Sequence, residues 1–448
     1  MGMCARALLG AVAVLLLAGA AMALEVAVHG DFSNELRLYS NQAEFFRGDF
    51  GYQTERQHKI GRSSASDSFV TAKYRLWSEI ASDEGAVKGV YAIEMGGLRY
   101  GDSRRGGGFS GDGVNVETRW AYTDLALVGG RLKLGLQPVQ INPFLWNETA
   151  TGAHFQRDLG GAQWQLAWYR GYEVVNTEDS NDFQDLDALY LRCLLKPATD
   201  TNLGLFALWQ HSDGKTLTDE PAFNLAERGN YLKNFAGYDL DLYTLGFDGS
   251  ARQGNLFARW DLLFQFGDLL EKQDFGGYLI HLDLGAKSGS ASWTYTFWLA
   301  SGDKDATDDD YDAFIATDCD TNGETSSVVL FEGYASDDYF SAVPYVQDKG
   351  LILNRLGYDH QVGQRLTVGG AILYLLTAEK VRYADQASDR IGWEVDAYAR
   401  YLLYPQLELA LQGGYLWADD VLDYYENDDD GQADSNLLVV NARVRYRF

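Results

Sequence analysis

Runs of about ten residues in which apolar and polar side chains alternate recur along this chain. The last run is the clearest. Leu438, Val440, Ala442, Val444, Tyr446 and Phe448 share one face, and Val439, Asn441, Arg443, Arg445 and Arg447 share the other. Successive side chains of an extended strand point to opposite sides, so each run predicts a strand with one apolar and one polar face. Leu256, Ala258, Trp260, Leu262, Phe264 and Phe266 oppose Asn255, Arg259, Asp261 and Gln265 in the same way. Further runs lie at Tyr278–Leu284, Trp293–Leu299 and Trp393–Leu403. Charges recur on one face only, which a dry core would not accept and a wet lumen does.

The connections alternate in length. Short turns fall at Ser82–Gly85, Gly129-Gly130, Gly160-Gly161, Pro197–Asn202, Gly249–Gly254, Lys287–Gly289, Gln361–Gln364 and Pro405-Gln406, with long acidic or Gly-rich loops between them. Transmembrane barrels have this alternation, with short periplasmic turns and long external loops. Counting the evident strands gives an odd number, which leaves the chain ending on the wrong side of the membrane. A further strand near Ala150–Arg157 restores the alternation. The expected fold is therefore an all-β transmembrane antiparallel barrel of 18 strands, with 16 as the fallback count. The longest loop, Gly302–Asp348, is expected to carry a short strand or helix at Ser327–Phe331. The apolar segment Pro138–Gly152 is expected to be an external connection, either folded into the lumen or packed at the outer interface through Trp146.

Residues 1–23 read as a secretory signal, with Arg6, an apolar stretch from Ala7 to Ala18, and Ala21-Met22-Ala23 before the expected cleavage site. Residues 24–448 then form one barrel domain. No later stretch is long and apolar enough to cross a bilayer as a helix, which leaves a closed barrel as the way to span one. Losing Arg6 takes the formal net charge from −27 to −28, which argues against a nucleic-acid partner. Aromatic residues make up 14% of the chain and there are only 6 prolines, in keeping with strands flanked by aromatic girdles. Cys193 and Cys319 are expected to form no disulfide, and the chain has no CxxCH haem-attachment motif. The terminal Phe448, two residues after Tyr446, fits the C-terminal signal read by the outer-membrane assembly machinery.

The last third resembles the alginate-export family of outer-membrane porins. The likeness rests on Ser301-Gly302-Asp303-Lys304-Asp305, on Gly392-Trp393-Glu394-Val395-Asp396 followed by Gly413-Gly414-Tyr415, and on Leu134-Gly135-Leu136-Gln137. In the third motif Leu136 stands where the family tends to have Arg. The segment from Trp120 to Ala153 is also similar to porins of metal-reducing anaerobes. The resemblance implies an 18-stranded barrel in the outer membrane.

A barrel of this size encloses an aqueous channel, and the charges on its wall set ion preference. The expected basic lining is Lys73, Arg75, Arg119, Arg131, Lys133, Arg259, Arg400, Arg443, Arg445 and Arg447. The expected acidic lining is Glu79, Glu94, Asp261, Asp283, Glu394 and Asp396. Two readings stay open for them: an electropositive constriction for anions or acidic oligosaccharides, or mutual ion pairs that brace the wall. Glu394 and Asp396 sit two apart on one face with no His or nucleophile near them in sequence, so no catalytic role is expected. Asp303, Asp305, Asp308, Asp310 and Asp312 either collect calcium through carboxylate oxygens or form a solvated acidic loop. Asp419, Asp420, Asp423, Glu426, Asp428–Asp430 and Asp434 form a second acidic loop, expected to be external and either flexible and solvated or bridged by divalent cations to lipopolysaccharide phosphates.

The function expected from these features is a passive porin for small polar solutes, embedded among outer-membrane lipids and carrying no cofactor. The competing expectation is a barrel that sheathes a partner such as a multihaem cytochrome. No constellation for an enzyme is present in the sequence.

Overall fold

A computed structural model describes residues 24–41, 67–82, 84–102, 107–108, 116–172, 186–212, 232, 238–269, 273–305, 308–319, 327–331, 348–383, 386–425 and 436–448. The expected signal at 1–23 lies outside them, as do Glu426–Asp434 of the second acidic loop. The strands are β1 (Glu25–Ser40), β2 (Asp67–Ala81), β3 (Val87–Arg99), β4 (Val116–Leu127), β5 (Gly130–Asn142), β6 (Trp146–Leu159) and β7 (Ala162–Tyr172). Next come β8 (Leu186–Ala198), β9 (Thr201–Ser212), β10 (Leu240–Gln253), β11 (Leu256–Leu269), β12 (Gln273–Phe275), β13 (Tyr278–Ser288) and β14 (Ala291–Ala300). The last are β15 (Asp310–Tyr311), β16 (Asp318–Cys319), β17 (Leu351–Val362), β18 (Leu366–Tyr383), β19 (Gln386–Tyr404), β20 (Leu407–Ala418) and β21 (Leu437–Arg447). Among the described residues an α-helix, α1 (Val328–Phe331), lies where sequence placed a short loop element, and a 3-10 turn spans Asp420–Tyr425.

The short strands β12, β15 and β16 belong to loops, and the other 18 form the wall. Each wall strand is antiparallel to the next, and β21 pairs with β1, which closes the barrel. Closure leaves no unpaired edge, as a sheet in hydrocarbon requires. The eight expected turns fall between strands at one end, hereafter the turn end. The segment near Ala150–Arg157 that parity demanded is β6.

Alternation along each strand sorts side chains to two sides. Leu36, Leu38, Leu76, Ile80, Leu245, Phe264, Trp293 and Val395 stand exposed on the outer face, as an apolar belt facing lipid requires. Aromatic residues sit towards both ends of this face. Trp209, Tyr243 and Phe266 stack across three strands near the loop end. Phe32 and Tyr446 flank Phe448 at the turn end. Phe448 also closes the seam: its backbone exchanges hydrogen bonds with Gly30 at 3.0 and 3.1 Å. A Cβ at Gly30 would collide with the Phe448 ring, so the terminal aromatic needs glycine there.

The packed core lies inside the barrel, in its loop half. Val139, Ile141, Phe144, Leu145 and Trp146 are buried there with Phe314, Ala316, Val328–Leu330, Leu353, Leu373, Leu416 and Leu437. This corrects the reading of Pro138–Gly152 as one external connection. Residues 138–142 end β5, residues 146–152 begin β6, and only Pro143, Phe144 and Leu145 link them. The tip turns inward, where Phe144 packs on Trp298 and the other apolar residues join the lumenal core. Of the two placements considered for it, the structure shows the lumenal one.

Candidate channel lumen

The inner face carries the charges, and most are paired with a neighbour on an adjacent or nearby strand. Arg75 Nε donates to Glu94 at 2.6 Å, with Lys73 3.9 Å from the same carboxylate. Lys88 meets Glu79 at 2.9 Å, Arg131 meets Asp124 at 2.8 Å, and Arg119 meets Glu148. Arg443 and Arg400 lie 3.0 and 3.8 Å from Glu408, and Arg445 and Arg447 lie 2.6 and 3.4 Å from Asp31. Strand register places these partners side by side: Arg75 faces Glu94, and Arg447 faces Asp31. The braced-wall arrangement thus describes Lys73, Arg75, Arg119, Arg131, Arg400, Arg443, Arg445 and Arg447. Asp31, Glu148 and Glu408 were absent from the sequence-based lining, although strand alternation puts each on the inner face.

Lys133, Arg259 and Arg355 differ. Among the described residues none of them has an ion-paired carboxylate. Lys133 lies over the Tyr122 ring, 5.7 Å from its centroid. Arg259 is exposed on β11. Arg355 on β17 is buried, and its Nε has no hydrogen-bond partner. Arg259, Asp283, Thr296 and Arg355 form one row across four strands. Arg355 was missed from sequence, and only its place on the lumenal side of β17 signals it.

The hairpin tip crosses this space. Asn142 Nδ2 donates to Asp261 at 2.6 Å, reaching β11 from the end of β5. The other oxygen of Asp261 lies 2.8 Å from His281 Nδ1, and Thr296 donates to Asp283 at 2.6 Å beside the same imidazole. Phe144 packs on His281 and Trp298, with ring centroids 4.7 and 5.1 Å away. Arg192 bonds the Ile141 carbonyl at 3.0 Å while paired with Asp248. Gly204 stands beside that ion pair, and any side chain there would strike it.

The loop after β14 crosses too, and polar wall residues hold its backbone. Gln265 donates to the Ile315 carbonyl at 2.7 Å and accepts from the Ile315 N–H at 2.8 Å. The Leu145 carbonyl accepts from the N–H groups of Thr317 and Asp318, at 2.7 and 3.2 Å. Glu394 accepts from the Ser327 hydroxyl at 2.6 Å and the Val329 N–H at 2.9 Å, while Asp396 receives the Val328 N–H at 3.4 Å. Glu394 and Asp396 therefore lie on the inner face as expected, but beneath the loop. They seat the first turn of α1 instead of bordering open water.

The candidate calcium set does not assemble. Among the described residues no three His, Cys, Asp or Glu side chains form a group that could hold a metal ion. Asp305, Asp308, Asp310 and Asp312 are exposed, whereas Asp303 is buried. Asp303 takes part in the root of the loop: Lys349 Nζ donates to its carbonyl at 2.7 Å and ion-pairs with Asp348 at 2.9 Å. Burial, followed by repulsion from Asp348, pushes the Asp303 carboxyl up to about 6.

Solved structures share this architecture. OccK9 (OpdG) of Pseudomonas aeruginosa matches with a TM-score of 0.56 and 14% identity, over 95% of this chain and 98% of that one. The BenF-like porin of Pseudomonas fluorescens Pf-5 gives 0.54 at 11% identity, over 95% and 98%. OprD of Pseudomonas aeruginosa gives 0.52 at 11% identity, over 94% and 93%. This chain has the fold of outer-membrane porins. No family model matches it, and no curated protein does. The closed wall and the apolar outer belt make it a bacterial outer-membrane barrel. Catalysis by a Ser–His pair has weak support in the geometry. Ser290 Oγ lies 3.5 Å from His360 Nδ1 on an exposed turn, the Tyr358 hydroxyl competes at the same nitrogen, and no carboxylate among the described residues orients the ring.

Proposed function

We propose that the chain forms a water-filled channel for small hydrophilic solutes. The observation that carries this reading is the inner wall, on which charged side chains surround a lumen too wide for an 18-stranded wall to fill by itself. The hairpin tip and the loop after β14 narrow its loop half from inside. They also occupy space that a cytochrome would need, which favours a channel over a sheath. A stoichiometric haem protein co-purifying with the barrel would favour the sheath instead. Lipid and lipopolysaccharide surround the outer face in this reading, and the acidic external loops are solvated.

The finer reading is a modest preference for anions. Paired charges largely cancel, and Lys133, Arg259 and Arg355 supply cations without a paired carboxylate. Alginate as the solute is not favoured, because Leu136 shares strand parity with the exposed Leu134, and so the position where the alginate-export family tends to have Arg is on the lipid side. Planar-bilayer recording tests both levels. Conductance with an anion-side reversal potential in a KCl gradient is expected, moving towards zero in Arg355→Leu. A folded barrel without conductance removes the channel reading, and a cation-side potential removes only the preference.

A further inference from the structure

The quadrant formed by β1–β4 carries a second feature that pore lining does not explain. His29 faces Trp77, Trp77 faces Ala92, and Ala92 faces Trp120, in one row across four strands on the lumenal side. His29 stacks on Trp77 with centroids 5.2 Å apart, and the two indoles meet edge to face at 5.7 Å. Ala92 between them is 0% exposed, so the small residue is roofed by the large ones. The Arg75 guanidinium lies 5.2 Å from the Trp120 centroid while its Nε holds Glu94. His29, Trp77 and Trp120 are only partly buried, and none belongs to either packed core.

Large aromatic groups placed on the watered side of a thin wall, outside any core, offer apolar planes to the channel. Aromatic residues with a polar handle suit a ligand that is apolar on one side and wet on the other. The rim beside them mixes donors and acceptors: Arg75 and Lys73 share Glu94, and Glu79, one step towards the turn end, is paired with Lys88. Such a rim provides hydrogen-bond donors and acceptors together, and a hydroxylated ring can bond both Arg75 and Glu94.

We infer that His29, Trp77 and Trp120 form a stacking ledge for neutral sugar rings passing through the channel, with Arg75 and Glu94 bonding their hydroxyls. This rests on the channel reading above and names a solute class for it. The probes are maltotriose and benzoate, added to single channels in planar bilayers and to the folded protein while tryptophan fluorescence is followed. Maltotriose is expected to block ion current in a saturable way and to perturb the fluorescence. The half-blocking concentration rises by about tenfold in Trp120→Ala and more in Trp77→Ala/Trp120→Ala, each lost stack being worth on the order of one such factor. Trp120→Phe, which retains a ring, falls between. Block by benzoate alone, equal block in wild type and the double variant, or open channels indifferent to maltotriose each overturn the ledge. Those outcomes leave the channel standing, whereas a protein with no conductance fails at the earlier step. Retained resistance of the variants to unfolding in detergent excludes a collapsed barrel as the cause.

Discussion

Gln265 offers a way to loosen the lumenal loop without touching the pore charges. Its amide is bonded twice to one loop residue, at 2.7 and 2.8 Å, and Ile315 itself is 1% exposed. Gln265→Leu keeps the volume and removes both partners, leaving a buried N–H and a buried carbonyl unsatisfied. Each such orphan costs about 1–3 kcal/mol, so the docked state should lose roughly 2–6 kcal/mol at that point. Glu394 and the Leu145 carbonyl still hold the loop further along, so local release is expected, with the wall intact. Amide exchange measured by mass spectrometry reads this directly. A loss of about 2 kcal/mol should speed exchange at Ile315 roughly 30-fold, with β10 and β13 unchanged. Single-channel conductance should rise in the same variant. Gln265→Glu, which keeps an acceptor for the Ile315 N–H, should show a smaller effect. Unaltered exchange at Ile315 would refute the assignment of Gln265 as an anchor, and faster exchange throughout the neighbouring strands would show that it braces the wall instead.

Two further outcomes follow from the loop root and the seam. The Asp303 carboxyl is raised by burial and by Asp348, to about 6 against an ordinary 3.8, so the docked root favours its protonated form. The resulting stabilisation is complete below the ordinary value and is lost as pH rises through about 6. Amide exchange at Phe314, whose N–H bonds the Ser301 carbonyl at 3.1 Å, should therefore slow between pH 7 and pH 5 after correction for intrinsic rates, and Asp303→Asn should flatten that profile. An Asn variant with the wild-type profile would place the titration elsewhere. Phe448→Ala removes the ring seated over Gly30 and between Phe32 and Tyr446, and it should lower the yield of folded barrel in cells while in-vitro folded protein keeps its conductance. Wild-type yield would argue against the terminal aromatic as an assembly signal.

The wall was legible because one physical rule governs nearly every residue in it. Hydrocarbon outside and water inside impose a period of two, and glycine or proline marks the turns. Even β6, whose sequence WNETATGAHFQRDL shows little apolar alternation, could be placed by the demand that both chain ends lie on one side. The error at Pro138–Gly152 has the same origin. Pro138, Val139, Ile141, Phe144 and Trp146 look alike in sequence whether they meet lipid, a loop or a core, and only the inward bend of the tip shows that they meet Phe314 and Trp298.

The lumen was legible as a list of faces and not as a set of contacts. Alternation tells that Arg75, Arg443 and Glu394 point inward, but their partners are fixed by register between strands that lie far apart in the chain. Asp31 finds Arg445 across the closing seam, 414 residues away. Glu394 was read as lining or ion-paired because the Ser327 hydroxyl and the Val329 N–H that it receives come from a loop that carries no periodic signal. A barrel wall can be derived from local solvent preference alone, whereas a constriction depends on which loop backbone is left without water. Gln265, Glu394 and Asp396 are buried wall residues that each bond a peptide group of the loop which would otherwise be orphaned. Lumenal carboxylates in such barrels therefore divide into those that meet solute and those that hold a loop. Here Glu394 and Asp396 belong to the second kind.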